Sequence, residues 1–293
     1  MQKKEKSKHY HITSFQIIIL GFLSVILIGS LLLMLPIATR SGGGTSFSDA
    51  LFTATSAVCV TGLIIHDTAT YWSVFGQGII LLLIQIGGMG IVTIAVSIAA
   101  VSGRKIGLMQ RSTMQEAIAA PNVGGIVRRT KFILKTAISV ELIGAAVLAP
   151  VFCRDFGFFK GIWYALFHSI SAFCNAGFDI IGDGKSMLSY RHDPLVLCTL
   201  AILVAIGGLG FIVWEDIIAK KSWKKLNVYS KVIILAQIFF IVVGTFVYFI
   251  LEYGNINTIG AESVGQKILA SFFQSVTTRT AGFDALIQNN LTD

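Results

Sequence analysis

Charge is scarce in this sequence. Asp, Glu, Lys and Arg together make up 13% of its 293 residues, against about a quarter in ordinary soluble domains. A chain so poor in charge lacks the polar groups to clothe a water-facing surface. Acidic residues are scarcer than basic ones, 15 against 23. Cysteine is confined to Cys59, Cys153, Cys174 and Cys198, in or beside apolar runs and without C-x-x-C spacing, which gives no basis for a disulfide framework or a zinc site. No set of His, Asp and Ser has spacing suited to catalysis, so neither an enzyme nor a covalently bound cofactor is expected. No cleavable signal peptide is expected, because the first apolar run outlasts an h-region and carries no A-x-A site. What is abundant is apolar: 54% of residues are hydrophobic and the mean hydropathy is +0.77. Disorder requires the opposite composition. The class is an integral membrane protein.

Five runs reach the ~20 residues that a helix needs to cross a bilayer: Phe15–Ala38, Ser73–Val101, Phe132–Cys153, Pro194–Trp214 and Val232–Leu251. The third contains Lys135 and Glu141, and the other four no charge. Most basic residues cluster before the first run (Lys3, Lys4, Lys6, Lys8), between the second and third (Arg104 to Lys131) and between the fourth and fifth (Lys220 to Lys231). The positive-inside rule makes those segments cytoplasmic. They are not interleaved with aromatics on one soluble face, so no nucleic acid is expected as a partner. The intervening stretches 39–72, 154–193 and 252–293 then face outward. Each holds an apolar segment too short to span: Phe47–Val58, Gly161–Phe173 and Val264–Val276. Re-entrant half-helices fit that length, the first with Ser46 as cap and Asp49 in its first turn.

A repeat links these segments. Aligned on Gly62, Gly177 and Gly282, the strings read ALFTATSAVCVTGL, ALFHSISAFCNAGF and ASFFQSVTTRTAGF, with Phe52, Phe167 and Phe272 in register, and Ala50, Ala165 and Ala270 as well. The period is about 105 to 120 residues. IGGMGI (Ile86–Ile91) and IGGLGF (Ile206–Phe211) follow the first two glycines. The unit is span, short outer helix, glycine turn, span. A half-helix entering from outside points its negative dipole end at the middle of the membrane. Exposed carbonyls after it are tolerated at that depth only along a watery path, where a ring of them replaces the hydration shell of a cation. Glycine supplies the backbone angles that such carbonyls demand.

The VCVTG, CNAGFD and TRTAGFD strings and the Gly-Gly pairs resemble the Ktr/Trk/HKT superfamily of potassium transporters, and most closely the membrane subunit of bacterial Ktr systems. The resemblance implies an all-α membrane protein built of helix–pore-loop–helix units, potassium-channel-like, around a pseudo-fourfold pore. It implies K+ as the transported ion, held by backbone carbonyls of Val60, Thr61 and Gly62, of Asn175, Ala176 and Gly177, and of Thr280, Ala281 and Gly282. It further implies a homodimer in the lipid bilayer of the cell membrane, and a cytoplasmic regulatory subunit of the KtrA/TrkA kind that alone carries nucleotide, with Gly103–Lys131 and Lys220–Lys225 as docking or lipid-headgroup surfaces. The expected organisation is a cytoplasmic tail 1–14, a first repeat 15–101, a linker 102–130, a second repeat 131–219, a linker 220–229 and an incomplete third repeat 230–293. The third inner helix, the family's gating loop and the fourth repeat are expected beyond Asp293, so that the chain reads as a fragment unable to conduct selectively alone.

Other residues carry two readings each. Cys59 and Cys174 read as small apolar groups behind the strings. Arg279, at the matching position, is expected to turn outward and brace carbonyls or acidic groups. Asp179 and Asp284 either concentrate cations at the mouth or serve as turn caps. The inner-helix glycines, Gly87, Gly88 and Gly90 with Gly207, Gly208 and Gly210, read as close-packing contacts first and as a hinge second. Glu141 is functional or paired within the bundle, and His168 reads as a hydrogen-bonded filler. The competing class is a solute transporter with discontinuous helices. Its half-helices ordinarily enter from both sides, whereas the charge count puts all three here on one.

Overall fold

The computed structural model describes residues 13–90, 93–94, 112–113, 115–116, 125–182 and 186–292. The basic N-terminal tail and most of the second-to-third-span linker, with Arg104, Lys105 and Arg111, lie outside them.

Among the described residues the chain is helical, with one isolated bridge between Thr39 and Trp72. Helix α1 (Ser14–Leu33) is followed by the short α2 (Phe47–Val58), a single turn α3 (Thr68–Tyr71) and α4 (Val74–Met89). Then come α5 (Ile126–Phe156), the short α6 (Phe158–Phe173), α7 (Pro194–Gly208), α8 (Phe211–Lys220), α9 (Val228–Glu252) and α10 (Val264–Thr280). The start signals are local. Thr13, Ser46, Ser73, Asp193 and Ser263 each accept a backbone N–H of the turn they open, and Thr13 and Ser263 complete a capping box with Gln16 and Gln266. The expected short helix Phe47–Val58, its cap Ser46 and the first-turn Asp49 are found as read.

Among the described residues three helices, Ser14–Leu33, Val127–Phe156 and Val228–Glu252, are long and apolar enough to cross a membrane. Their outer faces are bare hydrocarbon: Phe239, Phe240, Phe246 and Ile250 on α9 are all more than half exposed. That is the surface a lipid-embedded protein presents. Each of α1, α5 and α9 packs on the short helix that follows it, and the short helices α2 and α6 pack on α4 and α7. The core holds Trp72, Phe152, Phe167, Phe178, Phe273 and Phe283 in full burial.

Two expected spans are not continuous. The run Pro194–Trp214 is two helices, α7 and α8, bent by 93°. At the break Gly210 takes φ 81°, and Trp214 Nε1 reaches back to Ile206 O at 3.0 Å. In the run from Ser73, α4 ends at Met89 and Gly90 takes φ 80°; most of its remainder lies outside the described residues. Apolarity alone reads straight through both sites, because glycine is as apolar inside a helix as beside it.

Contacts between long and short helices follow a pattern missed in the sequence. Ser169 Oγ donates to Glu141 O at 2.6 Å beside Gly144, and Ser275 Oγ to Ile241 O at 2.9 Å beside Gly244. A Cβ on Gly144 would stand 2.5 Å from Ser169 Oγ. In α1 the matching carbonyl, Ile26 O, is taken by Ser30 of the same helix at 2.7 Å, and Ala54 holds the register position of Ser169. The available signal was spacing: Gly29 and Gly144 each precede their string glycine by 33 residues.

Candidate functional site

The three glycine strings lie side by side. A Cβ on Gly62 would stand 2.5 Å from Ala176 O, and one on Gly177 would overlap Ala281 O and stand 3.1 Å from Gly282 Cα. The three glycines take φ 74°, 70° and 80°. At Gly62 and Gly177 a left-handed backbone coincides with main chain of the next string where a side chain would begin, a combination that only glycine meets; at Gly282 the backbone angle alone favours glycine, with open space beside it.

How each string leaves its helix is set by backbone pairing. After α2, Val60 N donates to Ala57 O at 3.3 Å and Thr61 N to Ser56 O at 2.9 Å. After α6, Asn175 N donates to Ala172 O at 3.0 Å and Ala176 N to Ser171 O at 2.7 Å. This is the Schellman ending, which needs a left-handed residue next to the cap. Val60 (φ 57°) and Asn175 (φ 59°) fill that place after caps Cys59 and Cys174. Asparagine suits it, whereas a β-branched residue is strained there. Val60→Gly is therefore expected to stabilise the purified protein by about 1 kcal/mol, read as a higher unfolding midpoint. A lower midpoint would mean that the partly buried Val60 side chain contributes more by packing than it costs in strain.

The third string departs. Helix α10 runs to Thr280, so Thr280 is helical rather than left-handed, and Ala281 is the cap. Its ties are shifted by one residue: Thr277 Oγ1 donates to Phe283 O at 2.8 Å, where Ser171 Oγ donates to Phe178 O at 2.7 Å in the second string. The segment beyond Gly177 is braced again by His168, fully buried. Its Nδ1 donates to Tyr164 O at 2.7 Å and its Nε2 accepts from Ile180 N at 3.3 Å. The sequence reading of His168 as a hydrogen-bonded filler understates this, since the ring fixes the string itself.

The inner-helix glycines divide between the two readings. A Cβ on Gly87 would overlap Val58 O and one on Gly207 would overlap Phe173 O, the last residues of α2 and α6. On Gly88 it would stand 2.7 Å from Cys174 Cβ. These are packing glycines. Gly90 and Gly210 have room for a side chain but positive φ, and they are the bends. Between the two bends, at the C-terminal ends of α4 and α7, lies a cavity of about 370 Å³ bordered by the ion pair Arg129–Glu215 (3.3 Å).

Cys174 is buried and Cys59 exposed. Arg279 is exposed in the last turn of α10 and has no hydrogen bond or ion pair among the described residues, so the expected bracing partner is not found there. Asp179 accepts from Ile181 N at 3.2 Å, a turn-capping contact, and burial, together with the Asp67 charge, pushes its carboxyl up to about 6. Asp284 accepts from Gln288 Nε2 at 2.6 Å and is also raised by burial. Glu141, 4% exposed, accepts from Gln85 Nε2 of α4 at 2.9 and 3.1 Å, and Cys174 Sγ meets Gln85 Oε1 at 3.9 Å.

Comparison with known proteins fits this arrangement. The family described as TrkH, cation transport protein, matches residues 1–292. The chain belongs to the TrkH family. Among its relatives, the potassium/sodium uptake protein NtpJ of Enterococcus hirae is 40% identical over 283 residues, covering 97% of this chain and 61% of NtpJ. Ktr system potassium uptake protein B of Bacillus subtilis is 41% identical over 286 residues, covering 98% and 63%. The crystal structure of the potassium transporter TrkH from Vibrio parahaemolyticus shares the fold, with a TM-score of 0.67 at 20% identity over 97% of this chain and 54% of that one. The chain thus spans about three fifths of the length of these TrkH-family relatives.

Proposed function

We propose that this TrkH-family chain forms the larger part of the ion path of a potassium uptake protein. In this reading the long helix, short helix, glycine string and inner helix are one quarter-unit of a pseudo-fourfold pore, present twice in full and once in part. Dehydrated K+ is held by the main-chain oxygens of residues 60–62, 175–177 and 280–282. The observation that carries it is the contact of the strings: the space for a side chain on Gly62 or Gly177 is occupied by a carbonyl of the next string. The helix ends support it, since α2 and α6 turn their C-terminal, electronegative ends toward those strings.

The names of the relatives, a potassium/sodium uptake protein and a Ktr system potassium uptake protein, support K+ as cargo, and the Ktr system name supports a second, regulatory component that would carry any nucleotide. The charge distribution supports a cytoplasmic N-terminus, with the strings opening outward. A second copy of the chain in the plasma membrane completes the assembly.

The test is uptake by cells lacking their own potassium systems and expressing the native gene product. Growth at low K+ is expected to be restored, with Na+ a poor competitor. Gly62→Ser places a side chain against Ala176 O and is expected to erode K+/Na+ discrimination about tenfold or more; unchanged discrimination removes Gly62 from the ion path.

A further inference from the structure

The side chain of Asn175 does something that neither the carbonyl reading nor the inner-helix bend assigns to it. Oriented so that both ends of its amide are paired, its nitrogen donates to Val204 O at 3.0 Å and its oxygen accepts from Gly208 N at 3.2 Å. Those two groups lie one turn apart on α7, and an α-helix ordinarily pairs such groups with each other. The amide therefore spans the last turn of α7 from the side. Helix α7 remains α-helical through Gly208, so the amide clamps the last turn of the ladder as an added contact. The helix breaks two residues later, at Gly210, and α8 leaves at 93°. Gly207 next door has Phe173 O where its own side chain would be, so string and helix touch at successive positions. The Asn175 backbone is itself fixed, at φ 59° and with N–H bound to Ala172 O.

The first string lacks this connection. Val60 holds the matching place with no polar atom to offer, and Gly88 of α4 meets the Cys174 side chain of the neighbouring string instead. Left-handed geometry alone therefore does not account for asparagine, since valine occupies the same geometry in the first string. The two amide bonds are what distinguish position 175.

We propose that the Asn175 side chain is a positioning tie between the second glycine string and the α7–α8 bend, so that the angle of α8 and the orientation of the 175–177 carbonyls move together. Its effect on ion binding rests on the carbonyl-path reading; its effect on the bend does not.

The experiment uses the native gene product with Asn175→Gly and Asn175→Ser. Glycine accepts φ 59° without strain, and serine is too short to reach both α7 groups. Two readouts are taken: the apparent KM for K+ uptake, and spin-label distances between Ile143→Cys on α5 and Ile218→Cys on α8, both exposed. For both variants KM is expected to rise about tenfold, the scale of two lost hydrogen bonds, with the maximal rate per protein changed less. The distance distribution is expected to broaden. KM within twofold of the native value together with an unchanged distribution overturns the tie. So does failure of both variants to accumulate in the membrane, which would make Asn175 a folding requirement. A broadened distribution with KM unmoved retains the tie and removes the carbonyl path as its target.

Discussion

Gly177→Ala is expected to abolish most K+/Na+ discrimination while leaving the protein in the membrane. The new Cβ falls onto Ala281 O, with Ala281 C at 3.0 Å and Gly282 Cα at 3.1 Å. All three are main-chain atoms, so no side chain can swing away. The strings have to part by about one and a half ångströms to reach ordinary contact distance. A left-handed backbone costs alanine roughly 1–2 kcal/mol more. A carbonyl displaced by that distance no longer matches a dehydrated cation, and the loss is expected to exceed about tenfold in competition uptake. Gly78→Ala is the control, since its Cβ would meet nothing nearer than Trp163 at 4.0 Å. Alanine also favours the helix there by up to about 1 kcal/mol. Equal discrimination in the two variants would take Gly177 out of the ion path.

The largest effect on stability is expected from Gln85→Leu. Gln85 Nε2 is the donor to both oxygens of Glu141, on a carboxyl 4% exposed in the middle of α5. Without it a buried acid stands unpaired, a loss of about 3–5 kcal/mol if it keeps its charge and less if it takes up a proton. Glu141→Leu leaves only the neutral Gln85 amide wanting a partner, and is expected to cost about 1–3 kcal/mol. The double variant Gln85→Leu/Glu141→Leu is expected to recover much of the single Gln85→Leu loss, because neither polar group is left behind. Unfolding midpoints of the purified variants in one detergent check this. A double variant as unstable as the two losses added together would show that the pair contributes no coupling of its own.

Much of the site was legible because its signals are local and repeated. The three glycines announce left-handed backbone, and all three adopt it. Ser46 and Asp49 announce the start of α2, since capping is decided within one turn. Asn175 was visible only as a carbonyl bearer. Its amide partners sit about thirty residues ahead, on a helix whose distance from the string no spacing rule gives. The one-residue shift of the third string was hidden as well. ASFFQSVTTRTAGF aligns with its fellows on glycine and phenylalanine, yet α10 continues through Thr280 and re-pairs Thr277 with Phe283. Arg279, expected to turn outward and brace neighbouring groups, is exposed in the last turn of α10.

By itself the sequence determined the membrane class, the three short helices, the Ser46 cap and the positions of the three string glycines. Each of these follows from apolar content or from pairing within a few residues. The tertiary structure decided where α7 breaks, which inner glycines pack and which bend, and that the space at Gly62 and Gly177 belongs to the neighbouring string. Those outcomes depend on which backbone oxygen arrives from a distant helix, and a carbonyl is present at every residue, so its position leaves no mark in the order of side chains.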